Sequence, residues 1–141
     1  MPSTDRLEFP SAAWADAFRT ALAANAEYRA AAAAWEGDLL LRVVPTAADA
    51  PTPGVHLDLA HGDCRAATFH ADARAVPSEF VYEGTPQNWQ RLLRGELDPV
   101  RAILDGTFKV RGNLLKLARF TRAAKALVET AATVPADVRV A

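Results

Sequence analysis

The stretch that most constrains the fold runs from Trp89 to Phe120, WQRLLRGELDPVRAILDGTFKVRGNLLKLARF. Gly95, Gly106 and Gly112 cut it into short pieces, and each piece has one apolar side. Thr85 and Pro86 make a helix N-cap with proline at the first helical position. Trp89, Leu92 and Leu93 then share a face, and Gly95 ends the helix. Asp98-Pro99 repeats the arrangement, with Val100, Ile103 and Leu104 as its apolar side and Gly106 as its stop. Thr107 to Arg111 predicts a strand, and Gly112-Asn113 opens a helix from Leu114 to about Thr130. Helices of two or three turns are marginal alone in water, so these must lie on something larger. They carry more apolar residues than self-support requires, and the segment reads as a roof over an apolar interior.

A sheet is predicted beneath it. Asp38 to Val44 alternates Leu39, Leu41 and Val43 on one face. Gly54 to Ala71 reads as a hairpin turning near His61-Gly62-Asp63, with Leu57 opposite Ala67 and Val55 opposite Phe69. That register puts His56, Asp58, Thr68 and His70 together on the other, polar face. Ser78 to Glu83 adds a strand, with Phe80 and Tyr82 on one side. Ser11 to about Trp35, alanine-rich with Trp14, Phe18 and Leu22 in register, predicts one long N-terminal helix. Pro45 to Pro53 is a loop. The expected fold is α+β: a five-stranded, mostly antiparallel sheet with helices gathered on one face.

At 141 residues the chain is expected to form one domain over residues 1–141. A net charge of -1, with 50% hydrophobic and 23% charged residues, gives no footprint for nucleic acid. The single cysteine, Cys64, forms no internal disulfide and suits a reducing compartment. The opening MPSTDRLEFP lacks the pattern of a signal peptide, and no apolar run reaches the length of a membrane span. A cytoplasmic setting is the expectation.

The run Gly106-Thr107-Phe108-Lys109-Val110-Arg111-Gly112-Asn113, followed by Leu114, Leu117 and Phe120, resembles the signature of the sterol-carrier-protein type 2 family. The tryptophan helix with Trp89, Leu92 and Leu93 and the Asp98-Pro99 turn are similar to its bacterial single-domain members. The likeness covers residues 39–128, preceded by the helix at 11–35. It departs at Thr107, where a lysine is common in the family. The chain ends Val-Arg-Val-Ala, without a Ser-Lys-Leu-type peroxisomal address, in keeping with a bacterial cytoplasm.

The resemblance implies an apolar tunnel between sheet and roof for a fatty acyl chain, a sterol-like molecule or an isoprenoid, carried without chemistry and without a cofactor. Each buried methylene contributes about 0.8 kcal/mol, so hydrocarbon alone suffices for binding. Candidate lining residues are Phe69, Phe80, Trp89, Leu93, Ile103, Leu104, Phe108, Leu117 and Phe120; the same residues would equally fill a solid core. A second function fits the same resemblance: an accessory or oligomerisation module, as a homodimer or with a partner enzyme that modifies lipids or builds quinones. From Arg101 to Lys125 seven basic residues face one acid, Asp105. Lys116, Arg119, Arg122 and Lys125 on the last helix are candidates for transient contact with an anionic membrane, or form an ordinary solvated face.

Catalytic signals are poor. His56, Asp58 and His70 share a face but have the spacing of a solvent-facing hairpin, and no metal is expected there. Cys64 and His61 sit in a turn with no third group to orient them. No phosphate loop or serine elbow is present, so no enzymatic activity is expected.

Overall fold

The computed structural model describes residues 6–47 and 49–138. The readings made on the first five residues, on Ala48 and on the last three residues fall outside them. The described chain holds a five-stranded sheet, a two-stranded ribbon and six helices.

The main sheet runs in the order β4-β3-β2-β5-β6. Its centre is β2 (Glu36–Val43), flanked by β3 (Gly54–Ala60) and β5 (Phe80–Gly84), with β4 (Asp63–His70) and β6 (Lys109–Arg111) at the edges. All pairings are antiparallel except β2 with β5. The hairpin has the expected register, Leu57 opposite Ala67 and Val55 opposite Phe69, until a bulge between Asp58 and Leu59. Its loop is His61-Gly62, with φ of 53° and 84°. Positive φ at both positions matches the twist of the strands, and a side chain at Gly62 would meet the Arg29 carbonyl at 2.6 Å.

After β4 the chain crosses the sheet's polar face before entering β5, which explains the parallel pair. The crossing puts Ala73 over Leu40, and both are 0% exposed. Leu40 thus lies buried on a face that alternation alone assigns to solvent.

The helices cover the other face. The predicted N-terminal helix is two: α1 (Ala12–Ala23) and α2 (Ala26–Ala31). Asn25 causes the break. Its side chain accepts from the Tyr28 N–H and donates to Thr130 Oγ1 at 2.7 Å, capping α2 and tying it to α6. The two roof helices start as expected. In α3 (Pro86–Leu93) Thr85 is the cap, and in α4 (Pro99–Leu104) it is Asp98, accepting from Val100 N and Arg101 N. The C-terminal helix also divides, into α5 (Leu114–Ala118) and α6 (Thr121–Thr133), at Phe120, whose φ of -121° leaves the helix.

The two-stranded ribbon was not expected. Leu7–Phe9 (β1) runs parallel to Ala136–Val138 (β7), and Arg6 clamps the pair through Asp137 and the Ala136 carbonyl. Three-residue strands carry too little alternation to be visible in sequence.

Candidate functional site

The interior has a packed half and a hollow half. Phe18, Trp14, Phe9, Trp89, Phe108 and Tyr82 form a chain of ring contacts, with successive centroids 4.5 to 5.1 Å apart. Trp89 Nε1 donates to the Arg42 carbonyl at 2.9 Å, which fixes this column to the sheet. At the far end of the sheet Trp35 contacts Phe80 at 5.3 Å and Phe120 at 5.1 Å.

Between these clusters lies a cavity of about 80 Å³. Its floor is the inward face of the sheet: Leu39 and Leu41 from β2, Leu59 from β3, Phe80 and Tyr82 from β5, Val110 from β6. Its roof is Pro99, Val100 and Ile103 from α4, Leu117 and Phe120 at α5, and Ala123, Ala124, Leu127 and Val128 from α6. Tyr28 and Trp35 close the remaining side. The space exists because α6 presents alanine at 123 and 124, where larger side chains would close it. Its wall is almost wholly hydrocarbon and offers a polar group few partners.

The polar groups at this cavity are neutral or stand at its rim. Burial pushes the Tyr28 and Tyr82 phenols above their ordinary range, so both keep their protons. Tyr82 Oη donates to the Pro99 carbonyl at 3.3 Å and holds the start of α4 over the sheet. Lys125 is exposed and is the one charged side chain on the wall.

Four of the nine lining candidates border the cavity: Phe80, Ile103, Leu117 and Phe120. The other five do not. Trp89 and Phe108, both 1% exposed, are consumed by the aromatic column. Leu93 ends α3 and faces β7 instead. Phe69 is half-buried near the end of edge strand β4. Leu104 is 82% exposed: with Ala102 and Ile103 turned inward, the next residue lies about 100° further round the helix. Sequence reasoning missed Trp35, Tyr28 and the two alanines. The signal available was the pairing of small residues on α6 with alternating large ones on β2 and β3.

The four basic candidates also separate. Arg119, Arg122 and Lys125 are exposed. Lys116 is tied down, donating to the Glu36 carbonyl at 2.6 Å and to Glu79 Oε2 at 2.9 Å, with Nζ 4.9 Å from the Trp35 ring centre. It is a tether between α5 and the sheet rather than a free surface charge.

On the opposite face His56 Nε2 lies 2.7 Å from Asp38 Oδ2, and Arg65 donates to Asp58, so His56 and Asp58 already have partners. Among the described residues no group of three or more His, Cys, Asp and Glu could hold a metal ion. Cys64 and His61 do not face one another. Burial pushes the thiol up to about 11, and the imidazole lies between the Ala33 carbonyl and Glu36.

A mixed sheet roofed by short helices over an apolar cavity defines an α+β domain built around a hydrocarbon-lined space. The chain belongs to the SCP-2 sterol transfer family, whose model it matches over residues 18–125. It is similar to sterol carrier protein 2 in a crystal structure, at 36% identity and a TM-score of 0.83, covering 90% of this chain and 99% of that one. It is also similar to a conserved hypothetical protein of Thermus thermophilus, described as possibly a sterol carrier protein. There the identity is 33% and the TM-score 0.82, over 98% of this chain and 97% of the other. The ubiquinone synthesis protein UbiJ-SCP2 shares the fold, at 17% identity and a TM-score of 0.52, over 89% of this chain and 96% of that one. No curated protein matches the sequence.

Proposed function

We infer that this chain binds the hydrocarbon part of a fatty acyl, sterol-like or isoprenoid molecule in the cavity and carries or presents it unchanged. The observation that carries this reading is the cavity itself, a wall of aliphatic and aromatic side chains with a single ammonium at its rim. Family membership and two structural relatives, at 36% and 33% identity, support it; one is sterol carrier protein 2 and the other possibly a sterol carrier protein. No reaction is assigned, because the wall presents neither an activated nucleophile nor an acid–base pair.

A space of about 80 Å³ takes only part of a long chain. Full occupancy therefore requires the roof to lift. The element best suited to lift is α5: five residues, none of them buried, held by Lys116 and by Phe120 against Trp35.

Native mass spectrometry of freshly purified protein, followed by organic extraction, tests the assignment. A bound mass in the acyl, sterol or isoprenoid range is expected. A bare protein that also takes up no fluorescent fatty acid would refute it, and would put an accessory or oligomerisation role in its place.

A further inference from the structure

We propose that the rim formed by α4 and α5 is a docking surface for an anionic bilayer, with Leu114 and Leu115 as its inserting residues. The exposed large hydrophobic side chains of the described chain are Leu104, Leu114 and Leu115, at 82%, 57% and 82%. All three stand on α4 and α5, two of the helices that roof the cavity, beside Ile103 and Leu117, which face into it. Leucines left in water at one rim, while Ile103 and Leu117 beside them turn toward the cavity, are a surface built for a second apolar phase.

Charge identifies that phase. Arg119 stands one turn beyond Leu115, and Arg122 lies on the following helix; both are exposed and neither has an ion pair among the described residues. Arg101 and Lys125 add to the same region, where the acids are Asp98 and Asp105 at the two ends of α4. Apolar side chains ringed by cations complement a membrane whose surface is anionic and whose interior is hydrocarbon. Lys116 takes no part in this, since its ammonium is held by Glu36 and Glu79. The surface stands on these exposed residues whatever the cavity holds.

The test is co-sedimentation of the full chain with vesicles of phosphatidylcholine, alone or mixed with phosphatidylglycerol, at low and high salt. The wild-type protein is expected to bind the anionic vesicles selectively and to be released by salt. Leu115→Asp should weaken that binding by about tenfold or more. The pair Arg119→Glu with Arg122→Glu should abolish the preference for anionic lipid. Uptake of a fluorescent fatty acid from vesicle-free solution, measured on the same Leu115→Asp protein, separates docking from the cavity and is expected to be unchanged. Should Leu115→Asp fail to fold, Leu115→Ser and the arginine pair carry the test. The proposal is overturned if wild-type protein ignores anionic vesicles, or if Leu115→Asp binds them as well as wild type. It is equally overturned if a folded Leu115→Asp loses fatty acid uptake together with docking, or if its effect is to dissociate a dimer. Vesicle binding without any fatty acid uptake would sustain the docking surface and count against the cavity reading instead.

Discussion

Ala123 is 6% exposed and borders the cavity, so enlarging it to leucine tests whether the hollow exists and is used. Cavities cost about 24 cal/mol per Å³, so filling about 80 Å³ recovers at most about 2 kcal/mol. The helix propensity of leucine nearly equals that of alanine and subtracts little. A gain of roughly 1–2 kcal/mol should raise the unfolding midpoint by roughly 5 °C in calorimetry. The added carbons also take the place of about three ligand methylenes at about 0.8 kcal/mol each, so fatty acid affinity should fall on the order of fiftyfold. Both readouts come from one variant: a thermal scan without ligand and a fluorescent fatty acid titration. If the hollow is absent, the extra carbons overpack the core and destabilise by about 1–3 kcal/mol. A destabilised Ala123→Leu that still binds fatty acid normally would refute the reasoning.

Asn25→Ala removes both the cap of α2 and the bond to Thr130, and should cost about 2 kcal/mol in urea unfolding; a loss under about 0.5 kcal/mol would mean the α1–α2 break is not held by Asn25. Gly84→Ala places a methyl 2.5 Å from the Phe108 ring and should cost about 1–3 kcal/mol, partly recovered with Phe108→Leu; simple additivity in the double-mutant cycle would contradict the contact. Burial raises the Asp38 carboxyl, but the Glu79 N–H and His56 hydrogen bonds outweigh it and leave the group below its ordinary 3.8. Its contribution is therefore present above the unfolded value and lost as pH falls through the folded one. Asp38→Asn should flatten the decline in stability below about pH 5, and an unchanged decline would show the pairing contributes nothing.

Local chemistry made much of the fold legible. The Thr85-Pro86 and Asp98-Pro99 caps, the His61-Gly62 turn and the Leu57–Ala67 register each follow from a few adjacent residues. What escaped depends on partners far along the chain. Asn25 breaks a helix because Thr130 lies beside it, and Phe120 breaks another because Trp35 receives its ring. Leu40 is buried by Ala73, a loop residue with no pattern of its own. The site divides along the same line. Apolar character predicted Phe80, Ile103, Leu117 and Phe120 on the inner side, and it equally marked Trp89 and Phe108, which pack solidly. Hollow and core have the same composition; only the small residues at 123 and 124 distinguish them, and a gap is a property of three elements at once.

The central claim is that the space under α4, α5 and α6 receives hydrocarbon. Photocrosslinking with a fatty acid carrying a diazirine near its chain end, followed by peptide mapping, tests it most directly. The account predicts adducts at Ile103, Leu117 and Leu127, which line the cavity from three different helices. Adducts confined to exposed Leu104, Leu114 and Leu115, or spread without preference over the surface, would contradict it.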